Sequence, residues 1–300
     1  MDVTVGSDNQ RNERPCVAAV CSSKMPVRVF ERLRSFIYDE VGIHITPVKK
    51  VMLEGRLQKR LRKLGMRSFD EYCEYLFSDE GKNNELAKMI DEVTTNKTDF
   101  FREPGHFDFL TARALPCLLS GESRSSTKRL IIWSAGCSSG EEPYTIAMVV
   151  KEFMEGRTSA PFSFLVIATD ISKRVLEKAE RAIYEKEKAA AIPLWLRKKY
   201  LLRGKDMNID AVRITPDIRS LVMFRRLNFM DNDFGFREKI DMIFCRNVII
   251  YFDKKVQEKL LNKFCNCIKS GGYIFMGHSE TLFGMDLPLE QVAPTIYRRI

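Results

Sequence analysis

Leu130-Ile131-Ile132-Trp133-Ser134-Ala135-Gly136-Cys137-Ser138-Ser139-Gly140-Glu141-Glu142-Pro143-Tyr144 reads as strand, turn and helix in succession. The apolar run Leu130–Ile132 supplies the strand, and a helical pattern runs from Tyr144 to Phe153. Such a turn needs glycine where the backbone takes positive φ or approaches a ligand closely. The geometry aims backbone N–H groups at a polar ligand at a helix N-terminus. Two adjacent carboxylates, Glu141 and Glu142, would repel a pyrophosphate. They suit a ligand with a cationic end and free hydroxyls. That points away from NAD and ATP and toward S-adenosylmethionine, which carries an amino group, a sulfonium and a ribose. Taken alone, such a turn is weak evidence for a ligand site and also reads as a tight strand-to-helix connection.

Downstream runs extend the pattern. Phe164-Leu165-Val166-Ile167-Ala168 ends in Thr169-Asp170, and an acid at the end of the second strand can accept from both ribose hydroxyls. Asp170 is also placed to cap the next helix. A third strand, Ile240–Cys245, ends in Arg246-Asn247, and a fourth, Gly272–Met276, leads into Gly277-His278-Ser279-Glu280. Strands alternating with helical patterns predict a parallel sheet with crossover helices, an α/β Rossmann-like domain from 129 to 300. Tyr200–Leu202, Val212–Ile214 and Leu221–Phe224 are short β-type runs, read as a small antiparallel insertion over 200–226. Pro294–Ile300 reads as a final strand.

Four motifs, in order, resemble the CheR chemotaxis receptor methyltransferases. They are Thr94-Thr95-Asn96-Lys97-Thr98-Asp99-Phe100-Phe101-Arg102-Glu103, Gly140–Tyr144, Phe244-Cys245-Arg246-Asn247-Val248-Ile249-Ile250-Tyr251-Phe252-Asp253, and Gly277–Glu280. The resemblance runs from about residue 27 to the C-terminus. It implies S-adenosylmethionine as cofactor and methyl-ester formation on receptor glutamates. It implies that Asn96, Thr98 and Arg102 reach the methionine end, that Glu142 holds the amino group, and that Asp170 holds the ribose. Asn228 and the backbone of Phe229 match positions around the adenine; Arg246 and Asn247 match further cofactor contacts. Tyr251 matches a tyrosine facing the substrate carboxylate, so Arg102 and Tyr251 are the candidate catalytic residues. A carboxylate acceptor with a pKa near 4.3 is already ionised at neutral pH, so no general base is required. That suits a chain with only His44, His106 and His278.

Residues 26–93 read as a helical domain broken at Gly42 and Gly65. From Lys49 to Arg67 there are eight basic residues and one acid, Glu54. On a helical projection Lys49, Arg56, Lys59, Arg60, Lys63 and Arg67 form one stripe, and Leu53, Leu57, Leu61 and Leu64 another about a quarter turn away. The leucines read as core. Solvated faces normally mix signs, so the basic stripe reads as a partner surface, with Arg56, Lys59, Arg60, Lys63 and Arg67 as candidate substrate contacts. The resemblance implies the same, since the family's helical domain presents a basic helix to receptor coiled coils. Residues 94–128 read as a linker carrying the cofactor motif, broken at Pro104-Gly105 and ending in the Ser-rich stretch 120–127.

Residues 1–25 read as a disordered polar tail without the apolar core of a signal peptide. No run approaches the ~18 apolar residues of a membrane span, so no membrane insertion is expected. Eight scattered cysteines without C-x-x-C spacing indicate reduced thiols, a cytoplasmic protein and no metal site. Nothing demands a dimer, and a monomer is expected. Members that bind a receptor tail peptide carry a glycine-rich turn in the β insertion. Lys205–Ala211 has none, which puts tail tethering in doubt. A net charge of +9 permits a nucleic-acid methyltransferase. However, Arg246-Asn247-Val248-Ile249 lacks the Asn/Asp-Pro-Pro-aromatic motif of amino-group base methylases, so no nucleic-acid partner is expected. A non-enzymatic sensor of S-adenosylmethionine is the other rival, and Arg102 and Tyr251 argue against it.

Overall fold

The computed structural model describes residues 24–120, 129–156, 162–204 and 210–300. The tail through residue 23, all of the Ser-rich stretch 120–127 except Ser120, and residues 205–209 lie outside the described residues. Met25, which the sequence assigns to the tail, is instead 1% exposed, and its N–H donates to Glu54 Oε2 at 3.1 Å.

Helices Val27–Val41, Lys50–Leu64, Phe69–Phe77, Asp79–Asn84 and Leu86–Val93 form the N-terminal unit. Gly42 and Gly65 end the first two in the left-handed region, at φ 73° and 71°. The Ser68 and Ser78 hydroxyls cap the next two by accepting from Glu71 N at 3.2 Å and Gly81 N at 3.1 Å. Val29, Leu33, Leu53, Leu57, Leu61 and Leu76 are fully buried at the centre of their core.

The basic stripe divides. Lys49 belongs to a preceding 3-10 turn, and Arg67 lies past the Gly65 cap. Arg60 is a correction to the expected partner surface. It is 6% exposed, and its Nε and Nη2 each donate at 2.7 Å to the two oxygens of Glu85, itself fully buried. The reason is periodicity: Arg60 sits seven residues after Leu53 and three after Leu57, so the same rotation that buries the leucines buries it. Arg56 turns toward residues 93–95. Its Nη1 donates to Val93 O and, at 3.4 Å, to Thr94 O, while Nη2 donates to Thr95 Oγ1 at 3.0 Å. Lys59, Lys63 and Arg67 are exposed.

Ten strands follow: β1 Arg129–Ala135, β2 Ser163–Asp170, β3 Ile183–Glu185, β4 Leu201–Arg203, β5 Ala211–Ile214, β6 Val222–Arg226, β7 Ile240–Cys245, β8 Ile268–Met276, β9 Leu289–Ala293 and β10 Ile296–Arg299. Seven make one sheet in the order β6-β2-β1-β7-β8-β10-β9, parallel from β6 to β8 and antiparallel at β10 and β9. Along β1, Leu130 and Ile132 enter the core on one face, and Ile131, Trp133 and Ala135 the core on the other. Burial on both faces is why the strand reads as a continuous apolar run. Chain order reverses where β7 joins β1, so the C-terminal edges of β1, β2 and β7 frame a crevice.

The small antiparallel sheet has the order β3-β5-β4. It begins at Ile183, not at 200. The Leu221–Phe224 run belongs to β6, paired in parallel with β2, so its assignment to the insertion is corrected. A parallel partner more than fifty residues away leaves no local signature; only the pairing distinguishes β6 from a third insertion strand. Tyr200 closes the helix Leu194–Tyr200. Residues 104–119 are likewise not a linker. Pro104 occupies the first turn of a helical stretch, and Leu110, Ala114 and Leu115 are fully buried against the sheet core.

Candidate active site

A cleft open to solvent lies at the crevice and is lined on the helical unit's side by Val41, Ile43 and Val93. Its walls include Asn96, Thr98, Arg102, Glu142, Asp170, Asn228, Phe229, Arg246, Asn247 and Tyr251. All the residues expected at the cofactor or catalytic position therefore meet in one place.

Their chemistry differs. Gly136 and Gly140 hold the turn after β1 at φ 82° and 96°. A Cβ on Gly136 would stand 2.6 Å from Val248 Cγ2. Asp170, at the end of β2, accepts from Ser138 N through Oδ2 and from Ser172 N through Oδ1, both at 2.9 Å. The cap of the next helix is Ser172, whose hydroxyl accepts from Val175 N at 3.4 Å, so the capping alternative for Asp170 does not hold. Burial pushes the Asp170 carboxyl up, and the backbone amides pull the other way.

The adjacent carboxylates separate. Glu142 faces the cleft; its Oε1 accepts from Ser134 Oγ at 2.6 Å and its Oε2 from Arg246 Nε at 2.8 Å. Each oxygen keeps a lone pair for a cationic ligand group. Glu141 is absent from the cleft wall. It is fully buried and accepts from Ser139 Oγ at 2.7 Å and Lys188 Nζ at 3.1 Å.

Arg246 lines the cleft, but its Nε is committed to Glu142, and its Nη1 donates to Arg102 O at 2.7 Å and to His106 Nδ1 at 3.2 Å. It orients Glu142 and ties down the Arg102 backbone. Thr295 Oγ1 donates to Pro294 O and therefore accepts from His106 Nε2–H at 3.0 Å, which fixes the neutral tautomer. Burial, reinforced by the Arg246 charge, lowers the His106 pKa to about 4. Donor atoms of Glu103, His106 and His278 lie within 4.8 Å of one another, yet Arg246 Nη1 stands 3.7 Å from Glu103 Oε2. A guanidinium in that position repels a divalent cation.

Asn228 is also committed to protein. Its Nδ2 donates to Glu40 O at 2.7 Å and its Oδ1 accepts from Met230 N at 3.0 Å, so it joins the two units beneath the cleft. Phe229 packs edge-on to Trp133 and Phe252. Among the described residues, the cleft wall holds two buried polar atoms without partners, Ser138 Oγ and Asn247 Oδ1. Orphaned atoms beside two carboxylates and an apolar wall of Leu227, Phe229, Val248 and Phe252 fit a ligand with an amino group, a hydroxylated sugar and a flat base.

Sequence reasoning passed over Ser134 and Glu280. Ser134 is a small polar residue in an apolar strand, a signal that could have been used. Glu280 stands in the Gly277–Glu280 motif, but nothing in its spacing reveals its partners. Its Oε2 accepts from Asn247 N and Gly277 N, and its Oε1 from Val248 N and Ile249 N.

Two family models match the chain. The family model "CheR methyltransferase, all-alpha domain" matches residues 28–94, and "CheR methyltransferase, SAM binding domain" matches residues 96–298. The chain is 42% identical over 268 residues to a "Chemotaxis protein methyltransferase" of Borreliella burgdorferi, covering 89% of this chain and 93% of that one. It is 35% identical to "Chemotaxis protein methyltransferase 2" of Pseudomonas aeruginosa, covering 89% and 91%. It is also 35% identical to the "Chemotaxis protein methyltransferase" of Escherichia coli, covering 89% of each chain. The cofactor is S-adenosylmethionine, as the carboxylate-lined cleft and the matched binding domain require. With both domain models matched in order and relatives of nearly its own length aligned along it, the chain belongs to the CheR methyltransferase family.

Proposed function

We propose that this methyltransferase forms methyl esters on glutamate side chains of chemoreceptor cytoplasmic coiled coils, and so sets adaptation in chemotaxis-type signalling. One observation carries the reading. Arg102, half-buried, and Tyr251, from the turn after β7, enter the same cleft as Glu142 and Asp170. A cation and a phenol beside a cofactor site suit an anionic acceptor and need no base.

Glu142 receives the cofactor's amino group, with Asn96 and Thr98 lining the methionine end. Asp170 accepts from the ribose hydroxyls, while the Phe229 backbone and the Leu227–Phe229 wall hold the base. Bound there, S-adenosylmethionine supplies an electrophilic methyl on a positively charged sulfur. The acceptor carboxylate arrives ionised. Arg102 positions it by hydrogen bonding one oxygen, leaving the other free to attack; neutralising both would weaken the nucleophile. Tyr251 O–H donates a second orienting bond. Rate then derives from holding the attacking oxygen, the methyl carbon and the sulfur in line. The exposed Lys59, Lys63 and Arg67 present a basic face to an acidic receptor helix, while Arg56 holds the 93–95 carbonyls leading into the cofactor motif. Recognition by this face rather than by a tethered tail, a monomeric state and a cytoplasmic location belong to the same proposal. No helix among the described residues is long and apolar enough to cross a membrane.

The test compares labelled methyl transfer into receptor cytoplasmic fragments whose methylation sites carry glutamate with transfer into fragments carrying glutamine there. The proposal expects label only in the glutamate form. Equal incorporation into both forms would overturn it.

A further inference from the structure

The turn Arg246–Phe252 places Arg246, Asn247, Val248 and Phe252 on the cleft wall and carries Tyr251, expected to face the acceptor. It has no strand partner past Cys245. Its far end is held by Gln257 Nε2, which donates to Ile249 O at 2.8 Å and Phe252 O at 2.9 Å, and by His44 N, which donates to Tyr251 O at 2.8 Å. The amides of its first half converge on one carboxylate. Glu280, 3% exposed, accepts at 2.8 Å from Asn247 N, 2.6 Å from Gly277 N, 2.7 Å from Val248 N and 2.8 Å from Ile249 N. All four donors are backbone amides. Leaving a carboxylate buried is costly unless its lone pairs are filled, and four converging N–H groups fill them. To converge, residues 247–249 must present consecutive amides to one point, and Asn247 takes φ 59° to do so. That region is disfavoured for most residues with a Cβ and is tolerated best by asparagine, the residue found here.

Gly277 closes the arrangement from the other side. A Cβ there would stand 2.7 Å from Asn247 N and 2.6 Å from Asn247 Nδ2. Only glycine allows this approach. Held between them, Asn247 leaves its Oδ1 buried and unpartnered in the cleft wall.

We infer that Glu280 and Gly277 form a clamp that positions Asn247 toward the cofactor, making Gly277-His278-Ser279-Glu280 part of the binding machinery although neither residue touches the ligand. This rests on Asn247 being a cofactor contact. Neutral glutamine at 280 has one acceptor oxygen, and its NH2 group faces two amides that also donate, so two of the four bonds are lost. The turn then relaxes toward right-handed backbone, and Oδ1 leaves the wall.

Calorimetric affinity for S-adenosylmethionine, measured on the full chain, tests the clamp with Asn247→Ala, Glu280→Gln, Gly277→Ala and the double variant Glu280→Gln/Asn247→Ala. Asn247→Ala should weaken binding about tenfold, the worth of one hydrogen bond in a dry site. Glu280→Gln and Gly277→Ala should each weaken it comparably. The double variant should bind no worse than the weaker single variant, because a clamp acting through Asn247 has nothing left to position. A purely structural residue would lower the unfolding midpoint without that coupling. If Asn247→Ala weakens binding while Glu280→Gln and Gly277→Ala do not, or if the losses add in full, the clamp is wrong and Asn247 remains a contact. If Asn247→Ala binds like wild type, the contact is wrong and the clamp falls with it. Gly277→Ala keeps the carboxylate and decides the matter should Glu280→Gln fail to fold.

Discussion

Arg60→Ala separates a residue that builds the helical unit from one that greets a partner. In the folded protein Arg60 makes two 2.7 Å bonds to Glu85, and the Tyr72 hydroxyl donates to the same carboxylate at 3.2 Å. Glu85 is fully buried. Truncating Arg60 strands that charge with one neutral donor. Removing one partner of a buried ion pair costs about 3–5 kcal/mol, against a total stability on the order of 5–15 kcal/mol. An exposed basic side chain serving only recognition would cost within about 0.5 kcal/mol. The assay is urea unfolding, with the midpoint shift converted through an unchanged slope. Arg60→Ala should lose about 3–5 kcal/mol, and the triple variant Arg60→Met/Glu85→Leu/Tyr72→Phe should recover most of it, because apolar residues replace the pair without stranding a charge or the buried Tyr72 hydroxyl. Lys63→Ala should leave stability unchanged and slow methylation of an acidic receptor fragment. An Arg60→Ala protein as stable as wild type, with only weakened receptor binding, would refute the structural assignment and return Arg60 to the partner surface.

Three further outcomes follow from the site. Asp170→Ala should raise the dissociation constant for S-adenosylmethionine by about tenfold or more, since it removes a ribose acceptor and releases Ser138 N from the turn; calorimetry showing unchanged affinity would reduce Asp170 to a structural residue. Arg102→Ala should lower kcat for methyl transfer by about a hundredfold with little change in the urea midpoint, while an unchanged turnover would remove its positioning role. His106 is held neutral, with its pKa lowered to about 4 from an ordinary 6.5, so between those values the unfolded chain binds a proton that the native protein does not. Its contribution is therefore complete above pH 6.5 and lost as pH falls toward 4, at up to about 1.4 kcal/mol per pH unit. Unfolding of His106→Asn should show a correspondingly shallower pH profile, and parallel profiles would contradict the assignment.

Much of the cleft was legible because its residues lie at strand ends, and buried parallel strands announce themselves as apolar runs. β1, β2 and β7 are located that way, and Asp170, Arg246 and Asn247 stand at or just past their ends, whereas the choice of Glu142 over Glu141, like that of Asn96, Thr98, Arg102, Asn228 and Tyr251, comes from the family resemblance. What could not be read was pairing. Glu141 and Glu142 are neighbours with the same charge, yet one faces the cleft and the other a lysine, because helical rotation separates adjacent residues by about 100°. β6 was misplaced because the register joining Val222 to Val166 depends on a fold already formed. Arg60 differs from β6 in kind. Its heptad spacing from Leu53 was visible, but its charge outweighed the pattern, and the buried acid that makes its burial tolerable stands twenty-five residues away. Arg246 and Asn228 were found as members of the cleft, while their commitment to Glu142 and to Glu40 O emerges only from three-dimensional contact.

The most direct measurement of the central claim is the chemical nature of the transferred methyl group. Receptor cytoplasmic fragments labelled from radioactive S-adenosylmethionine would be isolated and treated with mild alkali. Carboxyl methyl esters hydrolyse to volatile methanol, so the account predicts that the label leaves the protein and is recovered in the vapour. Label that stays on the receptor through alkali would mean methylation at nitrogen or carbon, and would contradict glutamate ester formation however well the cleft binds its cofactor.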